Sequence, residues 1–161
     1  RWMMMNLGYV KIRGMDAAAS ITVEPYKDLL FNLRLTYTYQ KAEDFTKRKN
    51  PILQQSTWGG QITYIPWHNG SAVASLTYKS WQLNYSFIYV GERYHSSANI
   101  PAEYEQPWYT NDMTVSKKFM IKKINMRVAL EINNLLSQDY DVVLNYPMPR
   151  RNYKLSITAE I

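Results

Sequence analysis

Few residues in this 161-residue chain are placed to do covalent or metal chemistry. The two histidines, His68 and His95, lie far apart, and neither has the His-x-x-x-His or carboxylate spacing of a metal site. His68, between Trp67 and Asn69, reads instead as the first residue of a strand. Cysteine is absent, which removes disulfides, thiolate ligands and cysteine nucleophiles. No glycine-rich phosphate loop or nucleophile elbow is present. Asp139 and Asp141 flank Tyr140 and make the one paired-carboxylate candidate, in a stretch that reads as a loop with solvated acids. The expectation is a protein that is not an enzyme and carries no cofactor and no metal.

Binding chemistry has more to work with. The aromatic residues are 14 Tyr and 5 Trp against 4 Phe. Tyr and Trp join an apolar ring to a polar tip, which suits surfaces where hydrocarbon or ligand meets water. Trp58, Tyr94, Tyr104, Trp108, Tyr109, Tyr140 and Tyr146 fall in apparent loops. They are candidates to contact a ligand, because capture favours loops held by a rigid scaffold; bracing one loop against another is the competing role. The net charge of +6 is scattered. Its densest cluster, Lys47-Arg48-Lys49, reads as a solvated loop, so nucleic acid is not an expected partner.

The elements that must position these residues have a period of two. In "LLFNLRLTYTYQK", Leu29, Phe31, Leu33, Leu35, Tyr37 and Tyr39 alternate with Leu30, Asn32, Arg34, Thr36, Thr38 and Gln40. The same scheme recurs at Ala72–Tyr78, Trp81–Tyr89, Met126–Ile132 and Tyr153–Ile161, and more weakly at Met113–Val115 and Met15–Val23. "MDAAAS" has helix-forming residues, but the β-branched "SITV" and Pro25 that follow favour a strand. Short turns are expected at 24–28, 79–80 and 120–123, and long irregular loops at 43–60, 96–106 and 135–149. The pattern predicts an all-β, antiparallel up-and-down meander of about seven strands in one domain. No apolar run approaches the roughly 18 residues of a spanning helix. The opening "RWMMMNLGYV" shows no basic-then-apolar leader. An exported protein would therefore have lost its start or have it further upstream.

Alternation leaves open which way the apolar face points. A soluble sandwich or lipocalin-like binding barrel turns it inward; a membrane barrel turns it into lipid. Three features favour lipid. The spans are about nine to eleven residues, enough for a tilted strand to cross a bilayer. The polar faces carry Arg34, Arg127, Glu131 and Lys154, which a wet lumen accommodates. Trp81, Tyr78, Tyr37, Tyr39 and Tyr89 sit near stripe ends, where interfacial girdles belong. A small self-contained outer-membrane barrel of adhesin type remains a further alternative.

Three stretches carry a family resemblance. "EINNLLSQDYDVVLNYPMPRRNYKLSITAEI" holds an Asn-Asn-Leu strand end, a "DY" loop and a Tyr-Pro-x-Pro-x-Arg lead into a final strand. "VKIRGMDAAASITVEPYKDLLFNLRLTYTYQKAE" and "YIPWHNGSAVASLTYKSWQLNYSFIYVGERY" supply a Gly-x-acidic strand, a tight turn with a Tyr-rich return, a Pro-x-His strand start and a "VGERY" exit. In order and spacing these resemble the C-terminal barrel of TonB-dependent outer-membrane receptors. Ile161, Leu136, Arg150 and the pair Met15-Asp16 depart from the residues common there. The resemblance implies a plugged barrel of about 22 strands in a Gram-negative outer membrane. Residues 1–161 would then be its C-terminal segment, without plug, TonB-contacting segment or remaining strands.

The implied activity is uptake of a scarce nutrient (ferric siderophore, haem, cobalamin or oligosaccharide), energised by TonB through the plug. The resemblance further implies that Asn32, Arg34, Arg127 and Glu131 face the lumen, where they would line the path or hold the plug; cross-strand Arg–Glu pairing as plain barrel structure is the competing role. It makes Tyr153, Leu155, Ile157, Ala159 and Ile161 the signal read by the outer-membrane assembly machinery. Open strand edges predict self-association of the isolated segment.

Overall fold

The computed structural model describes residues 8–47, 51–52 and 57–160. Strands dominate: β1 (Val10–Tyr26), β2 (Leu29–Asp44), β3 (Gly60–Gln61), β4 (His68–Tyr78), β5 (Trp81–Val90), β6 (Arg93–Tyr94), β7 (Tyr104–Glu105), β8 (Trp108–Ile121), β9 (Ile124–Asn133), β10 (Asp141–Val143), β11 (Tyr146–Pro147) and β12 (Asn152–Glu160). The main sheet is an antiparallel meander in the order β1-β2-β4-β5-β8-β9-β12, with β3 added beside β2. His68 does open a strand.

Turns of two residues join β1 to β2, β4 to β5 and β8 to β9, at 27–28, 79–80 and 122–123. Each places one non-glycine residue in the left-handed region, Asp28 at φ 66°, Lys79 at φ 52° and Lys122 at φ 57°. Such positions are uncommon for side-chain-bearing residues, and these short turns accept them to reverse a twisted ladder.

Two expectations need correction. Several strands exceed nine to eleven residues: β1 has 17, β2 has 16 and β8 has 14. β2 thus takes in Glu43 and Asp44, and β8 takes in Met120 and Ile121, all four of which the sequence pattern puts in connections. The long connections are also not irregular. They contain β3, the pair β6–β7, the pair β10–β11 and a 3-10 turn at Pro101–Glu103. These pieces are two or three residues long, too short for a period of two to register.

The described residues fall into two compact units. The first draws on residues up to 16, 38–69 and 90–107, the second on 17–37, 70–89 and 108–161. In the second unit, register fixes which side chains share a face. Thr114, Glu131 and Lys154 align across β8, β9 and β12, as do Ser116, Ala129 and Ser156, and Lys118, Arg127 and Thr158. The alternate rows are Met113, Ile132 and Tyr153; Val115, Leu130 and Leu155; Lys117, Val128 and Ile157; and Phe119, Met126 and Ala159.

On the apolar rows Phe119, Leu130, Tyr153, Leu155 and Ile157 are exposed, while Met113, Val115, Met126, Val128 and Ile132 are half-buried. Leu130 is 43% accessible and Leu155 65%, whereas Ser116 on the polar face is 3%. Ala42 and Ala129 are the only buried hydrophobic residues among those described, while buried polar residues include Asp44, Gln61, Asn111 and Asn134. That order of burial is the reverse of what a soluble binding barrel needs. Leu30, Val73 and Ile88 break the pattern, being exposed apolar residues in line with polar neighbours on their strands.

In the first unit two glycines are set by close approach. A Cβ on Gly14 would lie 2.5 Å from the Tyr39 carbonyl oxygen, and one on Gly91 would lie 2.7 Å from that of His68. Gly91 N–H donates to the same His68 oxygen at 2.8 Å. The glycines of the "GMD" and "VGERY" motifs therefore permit strand contacts that any side chain would push apart. Gly14→Ala should destabilise the folded protein by about 1–3 kcal/mol, the usual cost of overpacking. The temperature at which the folded band is lost on semi-native gels should fall accordingly.

Candidate functional site

The side chains proposed from sequence to meet a ligand divide between the two units. In the first, Trp58 packs edge-on against Phe45 at 5.3 Å, and Phe45 also meets Tyr9 at 6.4 Å. Tyr94 and Tyr104 face each other across β6–β7 at 5.8 Å. Alongside them, His95 Nδ1 and Glu105 Oε1 are 3.1 Å apart. His68 has its ring 5.2 Å from that of Tyr39, and Lys41 Nζ lies 5.0 Å from the Trp67 ring.

A side chain stands in for backbone in the same unit. Asn99, at φ 53°, accepts from Gln61 N–H at 2.5 Å and donates its Nδ2 to the Gln61 carbonyl at 3.0 Å. It therefore pairs with β3 as another strand would. Gln61 Nε2 donates in turn to the Ile65 carbonyl at 2.7 Å. Arg48 and Lys49, two members of the basic cluster, lie outside the described residues.

In the second unit, Trp108 and Tyr109 belong to β8 rather than to the connection before it. The Trp108 ring stacks on Tyr140 with centroids 4.4 Å apart, and Tyr109 packs against Phe87 at 6.0 Å. Tyr85 hydroxyl donates to the buried Asn111 side chain. Burial, and then the Asp112 carboxylate, push the Tyr140 hydroxyl above its usual pKa. Both effects disfavour the phenolate. Tyr146, in the β10–β11 hairpin, is 72% accessible.

The residue that organises this last connection is Asn134. It is 3% accessible and sits at φ 51°. Its N–H donates to Asp112 at 2.8 Å, and its Nδ2 donates to the carbonyls of Gln138 at 2.8 Å and Pro149 at 3.2 Å. Its Oδ1 accepts from Gln138 N–H at 2.8 Å. The Asn-Asn-Leu motif signals the position, but its role as a knot between both ends of the connection emerges only from the fold.

The paired carboxylates are used otherwise. Asp139 takes a two-pronged contact from Arg150, at 2.6 Å from Nε and 2.8 Å from Nη2. Asp141 accepts from Asn145 N–H at 3.2 Å, closing the hairpin turn. The Arg150 and Asp139 side chains are both about two-thirds exposed or more, and such a pair contributes about 0.2–1 kcal/mol.

The residues expected to face a lumen lie with other polar groups. Asn32 donates to Thr22 at 2.6 Å. Arg127 donates to Ser116 at 3.3 Å, and Glu131 pairs with Lys154 at 3.4 Å rather than with an arginine. Arg34 is exposed. Tyr153, Leu155 and Ile157 are exposed along β12, while Ile161 lies outside the described residues.

Similarity to known proteins agrees with this geometry. Residues 2–135 match the family model described as TonB dependent receptor-like, beta-barrel. The chain belongs to that family. Its fold is similar to that of the ferric citrate transporter FecA in the unliganded form, with a TM-score of 0.62 and 19% identity over 80% of this chain. It is also similar to BauA, the ferric preacinetobactin receptor of Acinetobacter baumannii, with a TM-score of 0.65 and 12% identity over 93% of this chain. The chain spans only 20% and 27% of the lengths of those two proteins.

Two outcomes test the organisation of the 134–151 connection. Asn134→Ala leaves buried partners unmet and should loosen it by roughly 2–4 kcal/mol. Hydrogen exchange should rise there while β8 and β9 stay protected. The raised Tyr140 pKa means that the unfolded connection ionises first, so its stability is intact below about pH 10 and is lost as pH rises beyond. Tyr140→Phe should abolish that part of the alkaline loss, read as protease cutting against pH.

Proposed function

We propose that this chain is a C-terminal wall segment of a larger outer-membrane barrel that imports a scarce nutrient in a Gram-negative bacterium. The plug and the remaining strands belong to other parts of the complete protein. The observation that carries this reading is the inverted burial of β8, β9 and β12, with Leu130 exposed and Ser116 covered. Water penalises such a face, and lipid accepts it.

Family membership and the strand edges support the same reading. Among the described residues β1 and β12 each have one neighbour in the sheet order, and an unpaired edge is costly in hydrocarbon. Further strands of the same barrel would complete both. Until they do, the isolated segment is expected to self-associate through these edges.

The two structural neighbours are, by name, a ferric citrate transporter and a ferric preacinetobactin receptor. A ferric chelate is accordingly the favoured cargo, with haem, cobalamin and oligosaccharide as the other classes. In this reading Trp58 in the first unit and Tyr146 in the second, the most exposed of the candidate aromatics, are separate candidates to meet cargo. Tyr94, Trp108, Tyr109 and Tyr140 brace the connections that hold them. Asn32, Arg34, Arg127 and Glu131 line the wet interior. TonB acts through the plug, and the assembly machinery reads Tyr153, Leu155, Ile157, Ala159 and Ile161. The role is transport, without covalent chemistry.

Two substitutions on opposite faces of the sheet test the orientation. Leu130→Arg should cost about 2–4 kcal/mol in lipid and greatly reduce folded protein in outer membranes. Thr114→Lys, aligned with Glu131, should leave that amount near wild type. Equal effects of the two, with a protein soluble in water without detergent, would sink the proposal.

A further inference from the structure

The three short turns adjoin along one margin of the second unit. Lys79 N–H donates to the Asp28 carbonyl at 3.2 Å, and Lys118 N–H donates to the Ser80 carbonyl at 2.8 Å. Segments 24–28, 79–80 and 117–123 bring Lys27, Lys79, Lys117, Lys118, Lys122 and Lys123 to this margin. Against them stand Glu24 and Asp28, which leaves a surplus of four positive charges out of the chain's net +6. The charge that looks scattered along the sequence is gathered by the fold.

Two of these lysines are placed unusually. Register sets Lys117 opposite Val128, in line with Val115 and Phe119, on the exposed apolar face. An ammonium within hydrocarbon is expensive, so a lysine on this face belongs at its border. Its Nζ lies 4.8 Å from the centre of the Trp81 ring, and Lys79 Nζ lies 5.2 Å from that of Tyr78. Both rings are exposed. Amphipathic rings of this kind settle at the boundary between acyl chains and headgroups, the depth at which phosphodiester oxygens lie. An ammonium has three donors, and a ring face satisfies only one side of it.

We propose that this margin binds the headgroups of anionic phospholipids. Lys79 and Lys117 take phosphate oxygens, Tyr78 and Trp81 lie against the glycerol and first acyl carbons, and the neighbouring lysines supply an attractive field. The inference rests on the barrel reading above, because it needs the apolar face in a bilayer. It adds a lipid specificity, confined to the short-turn margin, that the barrel reading does not require.

The test uses the complete gene product that contains this chain, purified in detergent and offered phosphatidylglycerol and phosphatidylcholine of equal chain length. Native mass spectrometry then counts the lipid retained. The wild type should prefer phosphatidylglycerol, and 1 M salt, with a screening length of about 3 Å, should remove most of that preference. Each lysine lost should lower it about fivefold, so Lys79→Gln with Lys117→Gln should reduce it about 25-fold. Lys11→Gln, at the other end of β1, should leave it unchanged. Equal retention of the two lipids by the wild type would overturn the inference, as would a preference the double variant keeps. Insertion into purely zwitterionic vesicles is scored separately. A protein that inserts there without headgroup preference fails this inference alone, whereas one that stays in water fails the barrel reading as well.

Discussion

Everything in this structure depends on how an antiparallel ladder spends its backbone polar groups. Each strand satisfies its N–H and C=O groups sideways, against its neighbours, and leaves side chains to alternate above and below. Once the ladder is complete, the environment is free to differ on the two faces. Here one face gathers Thr114, Ser116, Arg127, Glu131 and Lys154, and the other presents Val115, Leu130, Leu155 and Ile157. Leu130, Leu155 and Ile157 are accessible, while Ser116 is covered. A chain with almost no buried hydrophobic residue among those described has no internal oily core to drive its folding in water. In the proposed setting the favourable transfer of its apolar face is made into lipid, and the backbone ladder makes that transfer possible.

The connections solve a different problem. They are long, and the hairpins within them are too short to hold a shape by backbone pairing alone. Asn99 and Asn134 compensate by using side-chain amides as pieces of extra strand. Both sit in the left-handed region that asparagine tolerates better than most residues. Each amide offers a donor and an acceptor, so one residue can bind a backbone segment in both senses. Aromatic pairs then cover the joints, Trp108 on Tyr140 and Phe45 on Trp58. The clamp of Arg150 on Asp139 adds an exposed contact across the same connection.

The motifs that carry the resemblance acquire physical reasons once folded. Gly14 and Gly91 stand where a neighbouring carbonyl oxygen leaves no room for a Cβ. The second asparagine of Asn-Asn-Leu ties the end of β9 to Gln138 and Pro149. The tyrosine of the "DY" pair supplies the ring that covers Trp108. These positions keep order in the connections and the strand approaches, where the repeating ladder cannot, and the sequence marks them without disclosing what they hold.

The sequence by itself determined the strands, their order of short and long connections, and the two chemically distinct faces. Those properties follow from a period of two and from turn residues, which are local. It also located the turns at Asp28, Lys79 and Lys122 closely, because a reversal of two residues leaves little freedom. It misjudged strand lengths and the small hairpins, since Glu43, Asp44 and segments of two or three residues carry no readable period. Only the tertiary structure decided which face is covered, because alternation is the same whichever way a sheet turns. It alone paired Glu131 with Lys154, enlisted Asn134, and brought Lys79 and Lys117 to aromatic rings along one margin. The Glu131–Lys154 pair and the placing of Lys117 over Trp81 depend on register between separate strands, and register is a property of the assembled ladder.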